Sequence, residues 1–216
     1  MQIYEWGVDS AENVTENLFQ CVLRNLGYPV FWGRYMVMIP RVSEGLTKQE
    51  ISFIQGKGVK LLLIYNSIQE AKGYNQGYEA ASDAALRAQM LGAPQGVPLF
   101  ANIERFFLID DEWIQGWTEA IVKSGYRSGF YNDPVTGGFN KAFCNAVKEN
   151  EKIKTLSILW SAEPELEPGD PQYPPVYSPI APGCGGNVLV WQYSRTVTSC
   201  PVDTDLASWN LVDILW

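Results

Sequence analysis

Three short stretches carry the side chains most suited to chemistry: Gly7-Val8-Asp9-Ser10, Ala101-Asn102-Ile103-Glu104 and Val202-Asp203-Thr204-Asp205. Each puts carboxylates at or near one end of a short apolar run. The chain of 216 residues contains no histidine. That absence removes Ser-His-Asp and Cys-His nucleophile systems, a histidine general base and histidine-ligated zinc. Acid–base chemistry must then fall to carboxylates, Tyr, Lys, Cys or backbone groups. Two carboxyl groups on opposite sides of a bond, one of them held protonated, are the equipment of glycoside hydrolysis, which needs neither metal nor cofactor. In Asn102-Ile103-Glu104 the strand period of two turns both polar side chains to one face. Glu104, Asp9 and Asp205 are therefore the candidate catalytic residues.

Planar and amide side chains recur at the same kind of position. Trp32, Arg34, Tyr65, Asn66, Tyr131, Trp160, Trp191, Gln192 and Tyr193 all close apolar runs. Aromatic rings stack on the apolar faces of sugars, and amide or charged groups bond their hydroxyls. Together with Asn102 these residues form the expected substrate-binding set, for a glycan substrate or ligand. Other acids read as architecture. Asp133 before Pro134 has the form of a helix N-cap with Pro at N1. Asp110, Asp111 and Glu112 suit a helix N-terminus. Asp9, Glu104 and Asp205 as hard oxygen ligands are a third reading, but the pattern calls for no metal and no cofactor.

The elements that must position these residues repeat along the chain. Apolar β runs read Ile3–Val8, Val30–Trp32, Lys60–Tyr65, Val97–Ile103, Gly129–Tyr131, Leu156–Trp160 and Val188–Tyr193, with a weaker one at Asp203–Ala207. Amphipathic helices lie between the earlier ones. Thr47 and Glu50 form a capping box ahead of Ile51–Gln55. Tyr78–Leu91, Glu112–Lys123 and Phe139–Lys148 follow, and Gly27, Gly58, Gly92 and Gly125 fall where a helix C′ residue needs positive φ. Alternating strands and helices imply right-handed βαβ units and a parallel sheet. Seven or eight such units suit a closed barrel, whose active site lies at the C-terminal ends of the strands. The fold expected is a TIM-type (β/α) barrel forming one domain over residues 1–216. It is irregular in its C-terminal third, because the 163–186 stretch is too rich in proline to hold a crossover helix.

The bulk numbers set the remaining bounds. With 46% hydrophobic and 19% charged residues the chain is globular, and a net charge of −8 argues against a nucleic-acid binder. No apolar run reaches the length of a membrane span, and no signal peptide is recognised. A soluble monomer is expected, cytoplasmic or a domain or phage-type protein reaching the cell wall by another route. Of four cysteines, Cys21 and Cys144 read as core thiols on helix faces. Cys184 and Cys200, in loops flanking one strand, are the candidate disulfide, which would point to an extracytoplasmic setting.

Taken in order, Trp6-Gly7-Val8-Asp9, Phe31-Trp32-Gly33-Arg34-Tyr35, Ile64-Tyr65-Asn66, Leu99-Phe100-Ala101-Asn102-Ile103-Glu104, Gly129-Phe130-Tyr131, Leu159-Trp160-Ser161-Ala162 and Val190-Trp191-Gln192-Tyr193 form a combined signature. It resembles the bacterial glycoside-hydrolase-like barrel family known as domain of unknown function 1906, a relative of the glycoside hydrolase family 25 lysozymes. The resemblance implies hydrolysis of peptidoglycan or a related amino-sugar polymer. It implies that Glu104 is the general acid of a DxE motif, that Asp9 closes strand one, and that Asp205 is the acid of the last strand. Trp191, Gln192 and Tyr193 match the family's sugar-contacting segment. The chain departs from the lysozyme pattern at Asn102, where the first acid of DxE becomes an amide. Such a change keeps hydrogen bonding but removes a preorganised charge. A carbohydrate-binding barrel with weak or no hydrolysis is the alternative expectation.

Overall fold

Each apolar run between a glycine stop and a polar turn becomes a strand, and each amphipathic stretch a helix. In chain order the elements are β1 (Tyr4–Ser10), α1 (Glu16–Asn25), β2 (Phe31–Tyr35), α2 (Lys48–Gly56), β3 (Lys60–Tyr65), α3 (Tyr74–Leu91), β4 (Pro98–Ile103) and α4 (Asp111–Lys123). They continue with β5 (Arg127–Asn132), α5 (Phe139–Glu149), α6 (Lys152–Leu156), β6 (Ser157–Ser161), β7 (Asn187–Ser194), β8 (Asp203–Ser208) and α7 (Trp209–Val212). The structure is a computed structural model and describes residues 4–167, 173–195 and 197–216. The strands close into a barrel in sequence order. No helix among the described residues is long and apolar enough to cross a membrane.

Neighbouring strands from β1 to β7 run parallel, but β8 is antiparallel to both β7 and β1, which corrects the expectation of a wholly parallel sheet. The reason is the short 195–202 connection: a parallel return needs a crossover of roughly a dozen residues or more, whereas an antiparallel strand needs only a turn. β8 therefore enters the barrel from the mouth, and its first residues lie there.

Local chemistry sets the helix ends. Thr15, Thr47 and Asp110 accept hydrogen bonds from the amides of Leu18, Glu50 and Trp113. The capping box at α2 is only half formed. Glu50 is buried and turns its carboxylate to Val14 N, 2.8 Å away, and to Arg34. Asp133 does not cap a helix either. It accepts from Val135 N at 2.8 Å and Thr136 N at 2.9 Å, tightening a turn, while α5 starts later at Phe139. Helices α3 and α4 cross with their backbones in contact. A Cβ at Gly77 would stand 2.2 Å from Trp113 O, and one at Gly116 would stand 2.1 Å from Tyr74 O.

The strand period divides the core in two. Phe31, Leu62, Phe100, Ile158 and Val190 fill the barrel interior, while Val8, Leu61, Leu99, Phe130 and Leu159 face outward. Helices cover that outer surface from β1 to β6. Beyond β6 the proline-rich stretch takes their place. Tyr177 stacks on Tyr4 at 3.8 Å between ring centroids and meets Trp191 edge-on at 6.0 Å. Trp191 Nε1 donates to Pro164 O at 3.1 Å, and Leu166 N donates to Tyr193 O.

Two disulfides fasten this wall, and neither is the expected one. Cys21 on α1 joins Cys200 ahead of β8, with Cα atoms 6.0 Å apart; Cys144 on α5 joins Cys184 ahead of β7, at 5.5 Å. Cys184 and Cys200 cannot reach each other, since β7 lies between them as an extended strand roughly 26 Å long at about 3.3 Å per residue. Cys21 and Cys144 are consequently half-cystines, not core thiols.

Candidate active site

The inward-facing side chains at the upper end of the barrel converge. β1 supplies Asp9, β2 Tyr35, β4 Asn102 with Glu104 following, β5 Tyr131, β6 Trp160 and β7 Gln192. β8, entering from the mouth, supplies Asp203 opposite Asp9 and Asp205 opposite Gly7. Gly33 makes room for the cluster: a Cβ there would stand 2.6 Å from Asp9 Cβ.

The cluster has two tiers. Asp9, Asp205, Gln192 and Trp160 are buried. Glu104, Asn102, Tyr35, Asp203 and Arg195 above them are half-buried. In the lower tier Trp160 Nε1 donates to Asp205 Oδ1 at 3.0 Å. Gln192 Nε2 donates to Asp9 Oδ2 at 2.8 Å and to Asp203 Oδ2 at 3.1 Å. Its Oε1 accepts from Tyr131 Oη at 2.8 Å and Arg195 Nε at 3.2 Å. In the upper tier Asn102 Nδ2 donates to Glu104 Oε1 at 3.2 Å.

Burial and like charge act together on the acids. Desolvation, reinforced by Asp203, pushes Asp9 up to about 7 from an ordinary 3.8. Asp205 is driven well above the carboxylate range by its complete burial and by Asp9. Its Oδ2 has no donor among the described residues, and the carboxyl group facing it is Asp9. Buried together and each raised by its surroundings, Asp9 and Asp205 favour holding a proton within the pair. Tyr35 is held protonated by burial and by Asp9, Glu104 and Asp203 around it.

From Glu104 a cavity of about 640 Å³ opens across the ends of β2, β3 and β4. Tyr35, Asn66, Asn102 and Glu104 line its inner part, and the loop residues Val42 and Phe106 its outer part. Phe106 is 74% exposed and Val42 66%, so the sides of the opening are apolar. Among the described residues no group of side chains is arranged to hold a metal ion.

The expected binding residues divide by strand parity. Asn102, Asn66, Tyr131, Trp160 and Gln192 face inward. Trp32, Arg34, Tyr65, Trp191 and Tyr193 face the outer layer, away from the barrel interior. Trp32 stacks on Phe19 of α1 and donates to Ser10 Oγ. Arg34, fully buried, bonds Glu50 Oε1 at 2.6 Å, Asn13 Oδ1 at 2.8 Å and the Glu44 carbonyl at 3.0 Å, with Nη1 on the Ser10 carbonyl. Tyr65 donates to Asp83 of α3, and Trp6 Nε1 donates to Tyr193 Oη. Asn66 lines the cavity, yet its amide nitrogen is bonded to the Val37 carbonyl and Ser43 Oγ. Residues absent from the expected set are Tyr35, Arg195, Phe106 and Val42. Only Tyr35 carried a signal, sharing inward parity with Phe31 and Gly33; the others lie on loops with no period.

An eight-stranded barrel with helices outside and carboxylates gathered at its mouth defines a glycoside-hydrolase-like domain. The chain belongs to the Rv2525c-like, glycoside hydrolase-like domain family, whose model matches residues 23–168. No curated protein matches the sequence. Among solved structures, an uncharacterized B. stearothermophilus protein is 50% identical with a TM-score of 0.96, the match covering 98% of this chain and 100% of that one. A muramidase from Acremonium alcalophilum is 11% identical with a TM-score of 0.60, over 97% of this chain and 98% of that one. A family 25 glycosyl hydrolase from Bacillus anthracis is 11% identical with a TM-score of 0.51, over 94% and 88%. At such identity the last two share the fold.

Proposed function

We propose that this barrel is a glycoside hydrolase acting on peptidoglycan or a related amino-sugar polymer. The observation that carries this reading is Glu104. It lines an open cavity, half-buried, beside Tyr35, which also faces Asp9 and Asp203. A group so placed reaches a glycosidic oxygen in the cavity and acts as its proton donor. The trio of Asp9, Asp203 and Asp205 supplies the negative charge it keeps to the opposite side of an oxocarbenium-like transition state. Of these three, half-buried Asp203 reaches a ligand, while fully enclosed Asp205 acts only through Asp9. The open cavity of about 640 Å³ suits a chain of sugars, with Tyr35 and Phe106 as stacking surfaces.

Purified cell-wall glycan incubated with the protein should release reducing ends. Glu104→Gln is expected to lower that rate roughly 10²–10⁴-fold with an unchanged melting temperature. Full activity in the variant would remove Glu104 from the chemistry. A second reading, a carbohydrate-binding barrel without turnover, is favoured by one observation: the partner of Glu104 is the uncharged Asn102. Its signature is calorimetric binding of chitooligosaccharides or muropeptides with no reducing ends after long incubation.

A further inference from the structure

Gln192 sits at the centre of the mouth, buried, with all four of its hydrogen-bonding positions used. Such a side chain has nothing left to offer a sugar. Its amide orientation is also determined, because carboxylates only accept while Arg Nε only donates. The two N–H groups must point at Asp9 and Asp203, and the oxygen at Tyr131 and Arg195. Donation to a carboxylate favours its ionised form. Asp9, Asp203 and Asp205 are packed together on adjacent strands and cannot all be charged. Each acid accepts one N–H, Asp205 from Trp160, but Gln192 holds Asp9 and Asp203 by the two hydrogens of a single amide, while Asp205 lies deepest with its Oδ2 unpartnered among the described residues and is left with the proton.

We propose that Gln192 is the positioning residue of this mouth: by bridging Asp9 and Asp203 on one side and Tyr131 and Arg195 on the other, it confines the shared proton to Asp205 and presents Asp203 ionised to a ligand. The charged and titratable groups facing this trio are Tyr35 from β2, Glu104 beyond β4, Tyr131 from β5 and Arg195 beyond β7. Arg195 and Tyr131 are tied to the trio through the Gln192 oxygen. The inference deepens the glycosidase reading and rests on it for its consequence in catalysis. Its test needs no turnover, so either idea can fail while the other stands.

The test is carboxylate titration by NMR on protein labelled with ¹³C at the Asp side chains, with assignments from single Asp→Asn variants. In the wild type Asp203 should titrate in the acidic range, while Asp205 stays protonated through neutral pH. In Gln192→Met, which keeps length and volume but no hydrogen bond, the Asp203 midpoint should rise by about one pH unit or more. Identical Asp9 and Asp203 curves in wild type and a folded Gln192→Met would overturn the proposal. Should Gln192→Met fail to fold, Gln192→Glu carries the test. It should melt below wild type by a margin that widens from pH 5 to pH 8, and adding Asp203→Asn should recover most of the loss by restoring a donor between the two strands. A deficit that Asp203→Asn does not relieve would equally overturn the proposal.

Discussion

The two walls of this barrel are built by different means. From β1 to β6 each strand buries its outer face under helices, and the wall is held by apolar packing, by caps and by the close crossing of α3 and α4 at Gly77 and Gly116. From β7 to β8 the described residues form no helix of comparable length outside. That wall is held by proline-rich chain, by the Tyr4–Tyr177–Trp191 ring contacts and by both disulfides. Yet the helix-free wall carries Gln192, Arg195, Asp203 and Asp205, two of the three packed carboxyl groups at the mouth and the amide that bridges Asp203 to Asp9. A wall that holds mutually repelling carboxylates gains from covalent fastening, because the cluster itself opposes folding there. The helical wall contributes Glu104 and the cavity, whose chemistry asks for access more than for confinement.

The largest effect expected from this contrast is that of the longer disulfide. Cys21 and Cys200 are 179 residues apart, and opening a loop of that size costs about 5 kcal/mol in the chain-entropy account. Urea unfolding of Cys21→Ser against wild type would measure it. A variant as stable as wild type would mean that the helix-free wall stands on packing alone, and the contrast would collapse.

Next comes Arg34, which belongs to the helical wall although it sits at the end of a strand. Arg34→Met leaves Glu50 buried and charged without its partner, a loss of about 3–4 kcal/mol. Equilibrium unfolding checks the magnitude, and calorimetry with a glycan should show affinity unchanged in the folded fraction. A selective loss of glycan binding at full stability would return Arg34 to the mouth.

Arg34 also shows where the sequence was readable and where it was not. The apolar runs located all eight strands to within a few residues, since burial between two layers demands unbroken hydrophobicity. The Asn102–Glu104 spacing correctly turned both side chains inward. Extending the same period to β2 would have turned Trp32 and Arg34 outward and Tyr35 inward, so that error lay in treating strand ends as a set without asking which face each residue takes. Other features had no local signal. An alternating strand reads the same in either direction, so the antiparallel entry of β8 was visible only through the shortness of 195–202. Disulfide partners depend on which loops tertiary packing brings together, and Cys21–Cys200 spans nearly the whole chain.

The smallest effect predicted is also the one whose sign is most informative. Asp9 is raised to about 7 and Asp205 well above the ordinary 3.8, so between roughly pH 4 and neutrality the folded chain binds more protons at this pair than the unfolded chain does. Stability from these groups is therefore greatest below their unfolded values and declines as pH rises through the folded ones. Asp205→Asn imitates the protonated acid: the amide oxygen can still accept from Trp160 Nε1, and the amide nitrogen can donate to Asp9. It removes the burden of keeping a proton against alkaline solvent. Thermal melts should coincide for variant and wild type near pH 4, and the variant should be the more stable by on the order of 2 kcal/mol at pH 8. A variant less stable than wild type at pH 8 would show that Asp205 is ionised in the fold. In that case the helix-free wall would hold one more charge than described, and its fastening by two disulfides would have that much more repulsion to resist.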